Sequence, residues 1–480
     1  MSDVSRRTIL GGAVGALAVG ALFGPARAIA VPGAREWTGL DSSIDGDVVL
    51  PANGAEYQAV KRVFNSNYDG STPVAVVTVK SQSDIQKTVV FAGANGVVIA
   101  PRGGGHSYTG ASTTTAAMVL DLRQLPPAVD YDEATGHVTV TPATGLYAVH
   151  QALAAVGRAI PTGTCPTVGT VGLALGGGLG GDSRRAGLTC DAMVSASVVL
   201  PTGDVVTASA SDHPDLFWGL RGGGGGNFGV TTSMTFTTFP TGDTDVVHLY
   251  FPATAAARAI VGWQEWISAA DRSAWGLVDV SADAGGLRCG VLATCVAGSG
   301  AAVAEAITSA IGVQPIRREN RTLDHMGLVM YLAGGSTTSE PRGFVAGSDV
   351  MPTLTSDAAD AIVDAVLAWP GTVGGASVIV DAIDGAVGDV DPAGSAFPWR
   401  RQSAVLQWYV DTPSPRVRSV ASQWIALAHQ FVRSHSVGGY VNYLEPDTQP
   451  VRYFAGNLPR LAEIRQIYDP TRMMVSGLEF

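Results

Sequence analysis

Pro101-Arg102-Gly103-Gly104-Gly105-His106-Ser107-Tyr108 follows directly on the apolar run of residues 97–100. Three successive glycines at the end of a strand let backbone approach a ligand with no Cβ in the way. Their bare N–H groups can form a concavity that receives an anion such as a pyrophosphate. His106 comes next, held against whatever the loop cradles. Taken alone, the loop is equally compatible with a tight turn and a solvent-facing histidine. It is not the dinucleotide fingerprint, because the strand–glycine–helix spacing of that motif is missing. Upstream, residues 74–79 read as a buried strand and 84–95 as a helix with apolar repeats. A strand–helix–strand unit therefore delivers the loop.

Downstream, residues 118–122 and 137–141 read as further strands and 146–156 as a helix. A second loop then runs Gly163-Thr164-Cys165-Pro166-Thr167-Val168-Gly169-Thr170-Val171-Gly172-Leu173-Ala174-Leu175-Gly176-Gly177-Gly178-Leu179-Gly180. So much glycine disfavours regular secondary structure, and the expectation is a wall against a flat apolar ring. A cysteine in such a loop is by default an inert buried thiol. Residues 193–200 and 205–208 read as a hairpin around Thr202-Gly203. A short helix over 215–221 leads into a third glycine run, Gly222 to Gly226, and a strand over 229–236. Near Pro240 the character changes. Residues 241–428 mix strands (246–251, 287–295, 404–410) with long helices (253–269, 301–311, 356–369) and carry no comparable glycine loop, which predicts an inserted α+β domain.

The 480 residues give room for two domains at roughly 100–200 residues each. Hydrophobic content of 46% with 15% charged residues indicates a globular chain. The net charge of -11 excludes a nucleic-acid partner, which needs a basic face. Ser5-Arg6-Arg7-Thr8-Ile9-Leu10, the apolar stretch of residues 11–23 and Ala26-Arg27-Ala28 together resemble a twin-arginine export signal over residues 1–28. The mature chain is then expected outside the cytoplasm and free of the membrane. Cys289 and Cys295 share a strand-like run, where their Cα atoms would stand about 20 Å apart and could not bridge. Scattered histidines (His137, His150, His213, His248, His325, His429, His435) make no metal spacing, so no metal is expected. Asp381, Asp384, Asp389 and Asp391 read as a solvated acidic loop rather than a calcium site. Trp263 and Trp266 read as core.

The three glycine loops, in order with Asp215-Leu216-Phe217-Trp218-Gly219-Leu220-Arg221 and the tail motifs Tyr440-Val441-Asn442-Tyr443, Tyr453-Phe454-Ala455-Gly456-Asn457 and Tyr468-Asp469-Pro470, resemble the berberine-bridge-enzyme-like branch of the vanillyl-alcohol-oxidase superfamily. The resemblance implies an α+β fold: a PCMH-type FAD-binding domain of two α+β subdomains over residues 37–240, an inserted α+β substrate domain with an antiparallel sheet over 241–428, and a C-terminal segment, 429–480, that completes the FAD domain. It implies FAD bonded through His106 to the 8α carbon and through Cys165 to carbon 6. Arg102, Gly103, Gly104, Gly105, Ser107, Val168, Gly169, Gly172, Gly177, Gly178, Gly229, Val230 and Asn442 would complete the cofactor site.

The same resemblance assigns Tyr443 as the catalytic base, with Tyr108 and Gln407 beside the substrate. A free phenol has a pKa near 10, so Tyr443 would have to be made more acidic by its surroundings. Relatives often carry histidine at Leu173, an aromatic at Leu179 and, in plant alcohol oxidases, lysine at Val405. With that lysine gone, Arg400, Arg401 or a residue of the inserted domain is the expected substitute. Ala174, small where the family tunes oxygen access, favours an oxidase. The implied activity is oxidation of an alcohol group on a sugar, oligosaccharide or natural product, with hydride passing to flavin N5 and O2 to H2O2. A dehydrogenase or oxidative cyclase, and a flavin-loaded binding protein with little turnover, are the alternatives.

Overall fold

The computed structural model describes residues 31–371 and 374–480. The expected export signal lies outside them. Ala75–Thr78, Met118–Asp121 and Ile99–Arg102 form a parallel set, with Asp47–Val49 antiparallel on its edge. All four residues of each of the first two strands are buried, as expected when a parallel sheet is covered on both faces. The connecting helix Gln82–Asn95 starts at Ser81, whose hydroxyl accepts from the Asp84 N–H. It stops at Gly96, which takes the left-handed conformation. This unit ends at Arg102 and so presents the glycine loop at the carboxyl end of a strand. The chain's last residues return to it: Ile99 N–H donates to Met473 O and Val475 N–H to Ile99 O, both at 2.8 Å.

A second sheet is wholly antiparallel, in the order Val129–Asp132, His137–Val140, Val230–Thr237, Met193–Val199, Val205–Ser209. The loop of residues 163–180 packs against it. The expectation of an irregular wall is corrected here, because Thr170–Leu175 is a helix. Val171, Ala174 and Leu175 recur at helical spacing and enter the core of this sheet, while Gly169 and Gly176 bound the turn.

The third sheet has seven antiparallel strands, ordered Arg317–Leu323, Thr244–Phe251, Gly286–Val296, Trp275–Asp283, Ala376–Ala382, Ala404–Asp411, Phe344–Met351. Helices Ala256–Ala269, Gly300–Ile311, Ser356–Leu367 and Pro415–Val432 cover one face, with Trp263 and Trp266 in the core between. The alternate side chains Leu277, Ser377, Ile379, Asp381, Gln407 and Tyr409 point the other way, toward the glycine loops. Cys289 and Cys295 lie on one strand, and all four cysteines are free. Arg184 pins the sheet's helical layer to the second glycine loop. Its guanidinium reaches Asp384 Oδ1 at 2.6 Å and the Ile267 carbonyl at 2.7 Å, near the end of helix Ala256–Ala269.

Candidate active site

Between the glycine loops and the open face of the seven-stranded sheet lies a cavity of about 560 Å³. One side is backbone: Gly103, Gly104, Gly105, Gly169, Gly172 and Gly223 to Gly226 all line it. Two of these loops touch without side chains. A Cβ on Gly104 would stand 2.3 Å from Gly169 N, so only glycine lets them meet. A Cβ on Gly172 meets no atom within 4 Å and would extend into free space beside the cavity. Asn227 also lines the wall; its amide donates to Gly223 O at 2.8 Å, while its Oδ1 is buried without a partner. A bare glycine cradle with an unsatisfied acceptor is what an elongated, hydrogen-bonding cofactor would fill.

His106 and Cys165 both line this cavity. The His106 ring stacks on Phe64 at 4.1 Å, and its Nε2 is hydrogen-bonded to Thr167 Oγ1 at 3.0 Å. Burial lowers the imidazole pKa to about 4, so it is neutral at ordinary pH. The Cys165 thiol is half-buried, with Ser339 Oγ 3.5 Å away.

The sheet side carries the polar groups. Tyr108 and Tyr443 stack at 5.3 Å and 13°. Gln407 donates from Nε2 to the Tyr108 hydroxyl. Tyr440 meets Tyr443 edge-on at 5.0 Å, accepts from the Gly178 N–H at 2.8 Å and receives the Asn442 amide at 2.8 Å. Among the described residues Asp381 is the one carboxylate on the cavity wall. It accepts from Trp275 Nε1 at 2.9 Å, and burial raises its pKa to about 7. Its strand places it directly across from Val405.

Several expectations need correction. Arg102 does not line the cavity; its buried guanidinium is spent on Asp121 at 2.7 Å and the Val60 carbonyl at 2.6 Å. Gly177 and Gly178 lie behind the wall, where a Cβ on Gly178 would stand 2.1 Å from Thr189 Oγ1. Val230 is buried in the core beneath the first sheet. Ala174 sits in the second core and not on the cavity, so it gives no information on oxygen access. Arg400 is held by both oxygens of Asp191, at 2.7 and 2.8 Å, and Arg401 by Gly388 O, so neither acidifies Tyr443. Instead Tyr443 is pushed well above the ordinary phenol value by burial, with Tyr108, Asp381 and Tyr440 adding to the rise. Asp381 is no solvated loop residue; Asp384 and Asp389 pair with Arg184 and Arg272. Ser107, Val168, Gly229 and Asn442 do line the cavity. No group of three or more potential metal ligands is found among the described residues.

The sequence marked no role for Phe64 and Thr167, and Asp381 read there as part of a solvated acidic loop. The alternation Ala376-Ser377-Val378-Ile379-Val380-Asp381-Ala382 could have shown Asp381 on the polar face of a strand. Nothing local marks Phe64, whose contact with His106 joins segments about forty residues apart in the chain, where the Phe64 N–H also donates to Gly105 O.

Residues 73–209 match the family model of the FAD binding domain, and residues 439–473 match that of berberine and berberine-like proteins. The uncharacterized FAD-linked oxidoreductase YgaK of Bacillus subtilis is 28% identical over 406 residues, 83% of this chain and 89% of its own length. The chitooligosaccharide oxidase of Gibberella zeae is 27% identical over 440 residues, covering 84% and 86%. The solved glucooligosaccharide oxidase of Acremonium strictum, whose FAD is 6-S-cysteinyl and 8α-N1-histidyl, superposes with a TM-score of 0.83 at 22% identity, covering 93% of this chain and 100% of its own. No helix among the described residues is long and apolar enough to cross a membrane. With its glycine cradle and its His106 and Cys165 on one cavity, the chain carries the FAD binding domain and the berberine-like domain, and its relatives and structural neighbours are berberine-bridge-enzyme-like FAD-linked oxidases.

Proposed function

We propose that this protein oxidises an alcohol group on a sugar, an oligosaccharide or a natural product, with O2 as acceptor and H2O2 as product. The observation that carries the reading is one cavity holding His106 and Cys165 together with Asp381, Tyr443, Tyr108 and Gln407. His106 and Cys165 would hold FAD covalently. Thr167 engages His106 Nε2 and leaves Nδ1 for the bond, and the neutral ring is the nucleophilic form. Bound FAD supplies the hydride acceptor and passes the electrons to O2.

The chain's own residues handle the proton. Asp381, ionised above about pH 7, can accept the hydroxyl proton of the substrate. Tyr443, kept protonated by burial, donates a hydrogen bond or relays that proton. Gln407 fixes the Tyr108 hydroxyl, and the stacked rings orient the substrate carbon. The oxidase reading rests on the oxidases among the relatives and on this polar set. Export by the twin-arginine route is part of the same proposal; Arg6→Lys with Arg7→Lys should hold the protein in the cytoplasm. The test of activity is peroxide release from xylobiose, cellobiose, N,N′-diacetylchitobiose and benzyl alcohol. Release from at least one member of such an alcohol panel is expected. Fast anaerobic reduction with no reoxidation by O2 would favour the dehydrogenase instead. Full activity in Tyr443→Phe would remove this catalytic assignment, while flavin retained with no turnover in any form would leave a binding protein.

A further inference from the structure

Outside the cavity, four charged side chains join the strand Phe344–Met351 to the C-terminal segment. His429, on helix Pro415–Val432, stands between two carboxylates. Its Nδ1 is 2.6 Å from Asp349 Oδ2 and its Nε2 is 2.6 Å from Glu445 Oε2. A neutral imidazole has a single N–H, so it cannot donate on both sides; with both carboxylates ionised, the imidazolium is the form that satisfies both contacts. Arg452 supplies the second cation, with NH2 3.0 Å from Asp349 Oδ1 and Nε 3.9 Å from Glu445 Oε1. That NH2 is also 3.2 Å from His429 Nδ1, but the shorter Asp349 contact decides which partner Nδ1 serves. Two anions thus balance two cations where Asp349 is 1% exposed. Ser436 Oγ and Trp408 Nε1 donate to Asp349 at 2.7 and 2.9 Å, and the Tyr453 hydroxyl accepts from Glu445 N–H at 2.9 Å. Burial alone would lower the His429 pKa, yet the bonds to Asp349 and Glu445 outweigh it and lift it to about 9.

This cluster grips both partners of the stacked tyrosines. Glu445 lies two residues beyond Tyr443 and accepts from the Ser348 N–H at 3.2 Å. Gly347 makes room for it, since a Cβ there would stand 2.6 Å from Glu445 Cδ. The Tyr440 N–H donates to Ser348 Oγ at 2.9 Å, and the Val350 N–H to Gly438 O at 2.8 Å. Ser348 in turn pairs in register with Gln407, which holds Tyr108.

We propose that His429, as an imidazolium between Asp349 and Glu445, is a positioning residue that fixes the segment of residues 438–446, and with it Tyr443, against the strand that backs Gln407. The kinetic part rests on the oxidase reading; the structural part does not. When His429 loses its proton, one of its nitrogens faces a carboxylate with a lone pair, and the segment loosens.

Hydrogen exchange followed by mass spectrometry on the FAD-loaded protein tests the structural part without a substrate. Corrected for intrinsic rates, protection of residues 438–446 should fall on the order of tenfold or more as pH rises through about 9, while peptides of the sheet core hold. His429→Gln should lack that protection at every pH. With whichever of xylobiose or benzyl alcohol reduces the flavin, His429→Gln should keep flavin absorbance and KM while kcat falls on the order of tenfold to a hundredfold. Glu445→Gln should move the alkaline limb of kcat to lower pH, and His429→Lys should recover part of the rate. Should His429→Gln fail to fold, the wild-type exchange profile and Glu445→Gln still decide. Protection that does not change with pH overturns the proposal, as does a kcat limb unmoved in Glu445→Gln. An exchange transition in a protein that oxidises no alcohol leaves the clamp standing and removes the oxidase reading.

Discussion

Asp381 and Tyr443 face one cavity, and their surroundings shift them in ways that suit different proton roles in the proposed reaction. The phenol is buried among two other tyrosines and a carboxylate, all of which disfavour its anion. The carboxylate is desolvated enough to titrate near neutrality, with a pKa of about 7. A base must be deprotonated to work, so the rate of anaerobic flavin reduction should rise with pH through about 7 and then level off. In Asp381→Asn that limb should vanish and the rate fall on the order of 10²–10⁴-fold, by stopped-flow absorbance. A retained limb would assign the base elsewhere. His429 makes a second prediction, on stability. Its folded pKa, about 9, lies above the ordinary value near 6.5, so its contribution is complete below about pH 6.5 and is lost as pH rises through about 9. Chemical denaturation across that range should show the decline, and His429→Gln should flatten it. At this scale the sequence was readable where a motif carried the residue, as for His106, Cys165 and Tyr443. It misled at Asp381 and was silent on Phe64, because their roles depend on contacts with residues distant in the chain, Trp275 and His106.

The glycine loops work as elements because of where a Cβ would go. Gly104 and Gly172 make an informative pair. Gly104→Ala would place a Cβ 2.3 Å from Gly169 backbone, so the loops must part, and both melting temperature and bound flavin should fall. Gly172→Ala adds a Cβ in free space within helix Thr170–Leu175, where alanine is favoured over glycine by about 0.5–1 kcal/mol. Its flavin-free form should therefore melt no lower than wild type, while flavin per protein drops. Equal behaviour of the two variants, measured by calorimetry and absorbance ratio, would contradict the cradle. Strand–helix–strand units and the hairpin at Met193–Ser209 were legible because periodicity and turn residues coincide there. The helix Thr170–Leu175 was not, because its glycine content hides a short apolar face that only the packed sheet reveals. Arg102 shows the same limit from the other side: it belongs to the loop motif, yet its guanidinium braces Asp121 from beneath. Arg102→Met should lower stability by about 1–3 kcal/mol, because Asp121 keeps Arg123 at 2.8 Å while the Val60 carbonyl and one side of Asp121 lose their donor, and denaturant midpoints would show it.

Across the whole molecule, two kinds of surface meet at the cavity. Backbone from the glycine loops forms one side and alternating side chains of an antiparallel sheet form the other. The glycine side is legible in sequence as runs; the sheet side is not, because strand order and facing depend on contacts far apart in the chain, such as Leu277 beside Asp381. The C-terminal segment spans both, reaching the first sheet at Ile99 and the seven-stranded sheet at Ser348. In the proposed function this junction holds FAD by two bonds. The measurement that tests it most directly is the intact mass of the purified protein after denaturation, for wild type, His106→Ala, Cys165→Ala and the double variant. Wild type should retain one FAD, with complete release only when both residues are replaced. Release of all FAD from denatured wild type would contradict it.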